Sequence, residues 1–184
     1  SEKGSFKLGY SRNDDQGILP NSHITKNFVN FGASYEIVKN LTASASINFT
    51  QQKGQGRYGT GYDDKNMMTN FRQWWQTNVD VQAQRHAYER TKQNITWNWA
   101  DPSTDVVPIY WDNPYFTRYE SYENDERNRY FGNVRLDYKI SESFSVFGRI
   151  SLDSYNEIQE ERRAVGSVDV PGYQRFNRSF IEYN

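Results

Sequence analysis

The chain has 184 residues, a formal net charge of −1 and no cysteine. A near-neutral chain lacks the excess of lysine and arginine that a phosphate backbone requires, so nucleic acid is not an expected partner. Without cysteine the chain has no disulfide framework, no thiolate zinc site and no thiol nucleophile. Mean hydropathy is low at −0.98, but aromatic residues make up 16% of the chain, too large a share for a disordered protein.

Alternation of apolar and polar residues begins almost at the first residue. Residues 5–11 place Phe6, Leu8 and Tyr10 on every second position, which predicts a short strand. The polar segment 12–26 follows, and its turn-forming residues predict a loop. No apolar run approaches the roughly 18 residues of a membrane-spanning helix.

Two hairpins share one design. The first pairs predicted strands 27–37 and 41–51 across a three-residue turn, and the second pairs 128–140 and 144–154 across Ser141 to Ser143. A further strand is predicted near 176–184. In each hairpin one face is almost wholly apolar: Val29, Phe31, Ala33, Tyr35, Ile37, Leu41, Ala43, Ala45, Ile47 and Phe49 in the first, and Tyr130, Val134, Leu136, Tyr138, Ile140, Phe144, Val146, Ile150 and Leu152 in the second.

The connections alternate in length, with short turns at one end of the sheet and long loops at the other. This asymmetry is typical of a transmembrane β-barrel, which has short periplasmic turns and long extracellular loops. From Tyr130 to Ile140 a strand tilted by about 40° covers roughly 25 Å along the membrane normal, the height of the apolar band of such a barrel. A soluble antiparallel sandwich also has alternating strands. The charged residues of the opposite face and the repeated loop asymmetry favour the barrel.

The segment 52–127 is predicted to be a long extracellular loop. Spacing of apolar residues by four predicts one or two helices between Asn70 and Lys92, the second capped by Asp80. All five tryptophans lie in this loop. They form either a hydrophobic cluster that keeps the loop folded or a surface that contacts a ligand or a partner. The candidate contact residues are Trp74, Trp75, Trp97, Trp99, Trp111, Tyr110 and Tyr115.

No constellation of residues predicts catalysis. His23 and His86 lie far apart in loop regions, and Asp101, Asp105 and Asp112 lack the spacing of a calcium loop. No enzyme activity, metal or cofactor is therefore expected.

Several phrases together resemble the barrel of SusC/RagA-type TonB-dependent outer-membrane transporters, and the resemblance covers most of the chain. The phrases are QGILPNSHITKNFVNFGASYEI (16–37), FRQWWQTNVD (71–80), DNPYFTRYESYENDERNRYFGNVRLDY (112–138) and ISLDSYNEIQEERRAVGS (150–167).

The resemblance implies an all-β fold in the bacterial outer membrane, in which this chain is a segment of about five strands of a large antiparallel barrel. The whole barrel would have about 22 strands and a plug. It also implies energy supplied through TonB, a SusD-like surface lipoprotein as a lid, and oligosaccharides or peptides as cargo. No plug domain or TonB box is recognised here, so a portion of a larger transporter is expected. The alternative is a secreted all-β carbohydrate-binding module that uses the same tryptophans.

Overall fold

The computed structural model describes residues 3–57, 61–62, 66–121 and 123–168, and for 106–107 and 178–183 it describes the backbone only. The strands are β1 (Gly4–Gln16), β2 (His23–Val38), β3 (Leu41–Gln55), β4 (Trp99–Asp101), β5 (Asp105–Pro108), β6 (Glu123–Lys139), β7 (Ser145–Arg163) and β8 (Arg178–Tyr183). The helices are α1 (Met67–Thr69), which continues into a π-helical turn (Asn70–Trp74), α2 (Val81–Thr91) and α3 (Pro114–Glu120).

Six strands form one antiparallel sheet in the order β1-β2-β3-β6-β7-β8. The predicted all-β, antiparallel character is confirmed. In the described part of the chain the sheet is open, with β1 and β8 at its edges, so closure into a barrel stays a prediction. No helix among the described residues is long and apolar enough to cross a membrane.

The strands extend further than the alternation predicted. The segment 12–26 was expected to be a loop, but β1 reaches Gln16 and β2 begins at His23, so this prediction was wrong for most of its length. Antiparallel pairing continues there through polar residues, such as Asp14 opposite Thr25. Backbone hydrogen bonds form regardless of side-chain polarity. The hydrogen-bonded pairing of β1 and β2 therefore extends beyond the apolar pattern.

The turn of the first hairpin is shorter than expected. Val38 pairs with Leu41, which leaves a two-residue turn in place of the predicted three. Asn40 lies in the left-handed region at φ 70°, a conformation that asparagine tolerates better than most residues and that suits a tight hairpin. At the other hairpin Ile140 and Ser141 both donate backbone hydrogen bonds to the carbonyl oxygen of Phe144.

The register brings the predicted apolar faces together across the sheet. Two rows run through five strands without a polar residue: Phe6–Ala33–Ala45–Val134–Ile150 and Leu8–Phe31–Ile47–Gly132–Leu152. Gly132 sits where strands approach closely, because a Cβ added there would lie 2.1 Å from the carbonyl oxygen of Ser46. In these two rows every pairing joins apolar residues or glycine, so the apolar face is continuous across the five strands.

The apolar face covers only part of the length of the strands. One border carries Tyr10, Phe49 and Tyr130, the last two with ring centroids 4.8 Å apart. The next row along the strands is polar, and its amides are joined across strands: Asn27 donates to Gln51, and Gln51 donates to Asn128 at 3.1 Å. A band bounded by aromatic and then polar rows results.

The buried core lies outside the sheet. The buried apolar side chains are Met67, Tyr88, Trp111, Phe116 and Ala164, and all but Ala164 belong to the insertion between β3 and β6. The apolar side chains of the sheet remain exposed; Ile150 is 79% exposed and Leu8 67%. The insertion is therefore the folded unit in this part of the protein, and it stands at the end of the sheet opposite the tight turns.

Candidate functional site

The insertion between β3 and β6 is fastened to the end of the sheet by Arg118 of α3. Its buried guanidinium donates from Nε to the carbonyl oxygen of Pro20 at 3.0 Å and from Nη2 to that of Gly56 at 2.7 Å. Asn21 returns a hydrogen bond of 2.9 Å to the carbonyl oxygen of Arg118. One side chain thus ties α3 to both the β1–β2 loop and the end of β3. Charge-assisted bonds of this kind are among the stronger ones in proteins.

A small hydrophobic cluster joins α2, α3 and the end of β7. Tyr88, Phe116 and Ala164 form it, and Tyr115 packs against its edge. The Tyr88 hydroxyl donates to Glu120 at 2.6 Å, and burial together with that carboxylate raises the pKa of Tyr88. Tyr115, one of the predicted contact residues, is therefore placed in the packing of the insertion.

Buried asparagines organise the rest of the insertion. Asn113 is 0% exposed and caps α3: its Oδ1 accepts from the backbone of Tyr115 at 2.8 Å, while its Nδ2 donates to the carbonyl oxygens of Gln84 and Ile95. Asn94 in turn accepts from the backbone N–H of Asn113 at 2.8 Å. These amides replace regular secondary structure as partners for buried backbone groups.

Asn98 sets the position of the β4–β5 hairpin. Its Oδ1 accepts from the backbone N–H groups of Tyr110 and Trp111, and its Nδ2 donates to the Trp111 carbonyl oxygen at 2.7 Å. The two ends of the hairpin are held together through this one side chain. As a result Trp99, the first residue of β4, and Tyr110, which follows β5, lie on the same side of the insertion.

The insertion contains a cleft of about 900 Å³ lined mainly by aromatic rings. That volume falls in the range of small-ligand sites, about 300–1,000 Å³. Five of the seven predicted contact residues line it, and the structure adds five more residues that the sequence did not single out. The lining is Tyr62, Trp74, Gln76, Trp97, Asn98, Trp99, Ile109, Tyr110, Trp111 and Arg163.

Trp111 anchors one group of these rings. It is 7% exposed, and the rings of Tyr62 and Trp74 lie 6.2 Å and 6.3 Å from it between centroids. Trp74 and Tyr110 are themselves 46% and 68% exposed. The cleft therefore combines a buried ring that fixes positions with exposed rings whose surfaces are open to a ligand.

Trp75 serves packing and does not line the cleft. Its ring lies 4.8 Å from Phe71 and 6.0 Å from Trp97, and its indole N–H donates to the carbonyl oxygen of Val79 at 3.2 Å. The prediction of a contact role for Trp75 is not supported by this placement. The predicted helical region is confirmed: Asp80 caps α2 by accepting from the backbone N–H of Gln82 at 2.8 Å.

The sequence carries a signal for some of the five additional lining residues but not for others. Ile109 adjoins a predicted residue, and Gln76 follows the Trp74–Trp75 pair, so extending those segments would have included them. Arg163 comes from the end of β7 and reaches the cleft only because that strand continues past the apolar band. No local sequence signal indicates its position.

The indole N–H of Trp97 is buried and has no hydrogen-bond partner in the part of the chain that the structure describes. We expect Trp97→Phe to destabilise the insertion by about 1 kcal/mol less than Trp75→Phe, because the first removes an unpaired donor and the second breaks a bond to Val79. Denaturant titration followed by tryptophan fluorescence measures both. A larger loss for Trp97→Phe would show that its N–H is paired in solution.

Among the described residues that line this cleft, groups suited to catalysis or metal binding do not gather. Of these residues Arg163 is the one with a charge, and none is a carboxylate. Among the described residues no cluster of three histidine, cysteine or carboxylate side chains is arranged to hold a metal ion. The arrangement offers surface for binding through ring faces and a small number of polar groups.

Comparison with known proteins adds no family assignment. A scan against protein-family models finds no match, and a search of curated proteins likewise finds none.

Proposed function

We propose that this chain forms part of the wall of a transmembrane β-barrel that imports oligosaccharides or oligopeptides across the bacterial outer membrane in a TonB-dependent manner. The observation that carries the proposal is the apolar band. Five strands present it on one face, it is bounded by an aromatic row and a polar row, and its side chains stay exposed.

An exposed apolar surface of this extent calls for an apolar neighbour. Soluble proteins rarely expose contiguous apolar patches larger than a few hundred Å². Lipid is a suitable neighbour because the band has about the height of the hydrocarbon core between its bordering aromatic residues. Tyr10 and Tyr130 at one border and Tyr35 and Tyr138 at the other match the aromatic girdles of outer-membrane barrels.

The opposite face suits the interior of a transport barrel. It carries charged pairs between and along strands, among them Arg127 with Glu157 and Arg129 with Asp153. The guanidinium of Arg135 pairs with Asp137 and lies 4.1 Å from the ring centroid of Phe147. Polar residues on the inner face and apolar residues on the outer face are the pattern of a water-filled or plugged barrel.

The carbohydrate-binding module remains the alternative, since it would use the same cleft. It differs in what covers the apolar face: a soluble sandwich needs a second sheet or other layer packed about 10 Å away. Among the described residues no element packs over Val134, Leu136 or Ile150, and each is about half exposed or more. The open face favours the barrel.

In the proposed transporter the insertion stands at the extracellular end, away from the tight periplasmic turns. There the cleft would meet cargo before it enters the barrel, and a SusD-like lipoprotein would close over it as a lid. TonB would supply energy through parts of the protein beyond these strands.

Single cysteines test which face meets lipid, since this chain has none of its own. In the whole protein, Leu8→Cys and Ile150→Cys are labelled with a fluorophore, and Lys7→Cys and Ser151→Cys are the adjacent controls on the other face. Brominated lipids should quench the first two labels several-fold more than the controls. Equal quenching at all four positions, or quenching only by water-soluble agents, would rule out the transmembrane wall.

A further inference from the structure

We propose that a pocket on the charged face of the sheet, opposite the apolar band, binds a carboxylate group of a ligand through Arg57 and Arg127. The pocket has a volume of about 430 Å³ and lies at the end of the sheet that carries the insertion. It shares none of its described lining residues with the aromatic cleft. The proposal rests on the proposed function only in taking this face as the lining of a passage for cargo.

Two buried carboxylates form the floor of this pocket. The side chains of Asp125 and Glu157 are only 6% and 8% exposed. Asp125 pairs with Gly54 of β3, and a Cβ added at Gly54 would lie 2.4 Å from Asp125 Oδ1. Glycine therefore leaves the space in which the carboxylate lies close against the sheet. Both negative charges are held at the bottom of the pocket, away from water.

A guanidinium covers each of these carboxylates. Arg127 donates to Glu157 Oε2 from Nε at 2.9 Å and also from Nη2, and Arg57 Nη1 lies 3.5 Å from Asp125 Oδ1. Arg127 also interacts electrostatically with Asp125, and Arg57 with Glu157. The side chains of Arg57 and Arg127 are 59% and 49% exposed. These four groups are neutral in total but polarised, with the carboxylates inside and the N–H donors outside.

The backbone just before Arg57 is fixed, so the position from which this side chain projects is fixed as well. The carbonyl oxygen of Gly56 accepts from Arg118 Nη2 at 2.7 Å. Gly56 has φ 74°, and a Cβ added there would lie 2.1 Å from the carbonyl oxygen of Asn21. The anchor of the insertion thus also positions one of the two exposed cations.

Arg127 is oriented by its side-chain neighbours. Its guanidinium carbon lies 5.3 Å from the centroid of the Tyr155 ring, and Glu157 engages Nε and Nη2. One edge of the fork is therefore occupied, and Nη1 remains to donate to a ligand. Donors that are already ordered lose little conformational freedom when a ligand binds.

Exposed guanidinium groups select for a carboxylate. Arginine presents N–H donors in a planar fork that matches the two oxygen atoms of a carboxylate, and such charge-assisted bonds are stronger than those to neutral acceptors. A cationic ligand would meet the two guanidiniums before the carboxylates beneath them. Both proposed classes of cargo can supply the group, either as the acid of an acidic saccharide or as the carboxyl terminus of a peptide.

Calorimetry on the whole protein tests the proposal with acids and their neutral counterparts. The probes are tetragalacturonate with its methyl ester, and N-acetyl-tetraalanine with its carboxy-terminal amide. At least one acid should bind about tenfold or more tightly than its counterpart, the scale of one charge-assisted contact. The pair that shows this preference identifies the source of the carboxylate. Added salt should weaken the preference, because both guanidiniums are partly exposed.

Variants then locate the binding. The double variants Arg57→Gln/Asp125→Asn and Arg127→Gln/Glu157→Gln should each remove most of the preference, and neither leaves a buried carboxylate without its partner. Lys53→Gln is the matched control, since it removes a positive charge at the same end of the sheet. Lys53 points to the other face and is not among the described residues that line this pocket. Its preference should stay within about twofold of the parent. Melting confirms that each variant is folded.

Four results would overturn the proposal: equal affinity for acids and neutral counterparts, no binding of either acid at millimolar concentration, a preference that survives both double variants, or an equal loss in Lys53→Gln. The lipid-labelling experiment reports on the barrel separately. A preference for acids with failed lipid quenching would remove the transmembrane wall and leave the carboxylate site standing. Lipid quenching without such a preference would do the opposite.

Discussion

Replacing Asn113 with alanine should open the insertion while leaving the sheet intact. The side chain is fully buried, caps α3 and satisfies the carbonyl oxygens of Gln84 and Ile95. Loss of a cap costs about 1 kcal/mol, and each buried acceptor left unpaired costs about 1–3 kcal/mol more. A total of about 3–7 kcal/mol should raise the rate of proteolysis within the insertion more than a hundredfold, if opening is in rapid equilibrium.

Two further variants separate the causes. Asn113→Asp keeps the oxygen that caps α3 and turns the donor into a second acceptor facing two carbonyl oxygens, so it should be at least as damaging as alanine. Asp80→Ala removes an exposed cap with one hydrogen bond and should cost only about 1 kcal/mol. Mass spectrometry of the cleaved fragments gives the rates. If Asn113→Ala opened no faster than Asp80→Ala, the buried amide would not hold the insertion.

Which residues share a face of the sheet was predictable, because side chains alternate along a strand as a local property of the backbone. Successive side chains of a strand point to opposite sides, so Phe31, Ile47 and Leu152 could be assigned to one face before their neighbours were known. The short turns then limited the possible registers, and the register observed places these residues in a single row. The two-residue alternation of side chains and the tight turn together allow few other registers.

The ends of the strands were not predictable from the same signal. Beyond Tyr10 and Tyr130 the apolar face gives way to polar residues, as in the row that contains Asn27 and Gln51. Alternation disappears there although the backbone continues to pair. Where such a strand ends depends on how far its backbone pairs with the neighbouring strands. The pattern of apolar and polar side chains carries no information about that length.

At the site, the sequence indicated the region but not the role of each ring. Trp74 and Trp75 are adjacent, yet Trp74 ends the π-helical turn and Trp75 is extended, with ψ 131°. Their side chains therefore have different neighbours: Trp74 lines the cleft and Trp75 packs on Phe71. A change of backbone conformation between two residues decides which of them is available for binding, and composition does not reveal it.

Placing a charge in the apolar band should prevent assembly in the membrane if the face meets lipid. Ile150 pairs with Val134 in the middle of the band and is 79% exposed. A lysine at the bilayer midplane of a barrel costs about 2–4 kcal/mol, so Ile150→Lys should lower the amount of heat-modifiable, folded protein in the outer membrane severalfold.

Ser151→Lys is the matched control for this variant. Residue 151 adjoins residue 150 but points to the face that carries Arg149 and Asp153, where a charged side chain is solvated. Its folded amount should stay close to that of the parent, because the substitution adds the same charge without burying it in lipid. The opposite order, with Ser151→Lys the more damaging, would place lipid on the charged face and contradict the proposed wall. Equal tolerance of both lysines would mean that neither face meets lipid, since water alone accommodates a lysine at either position without cost.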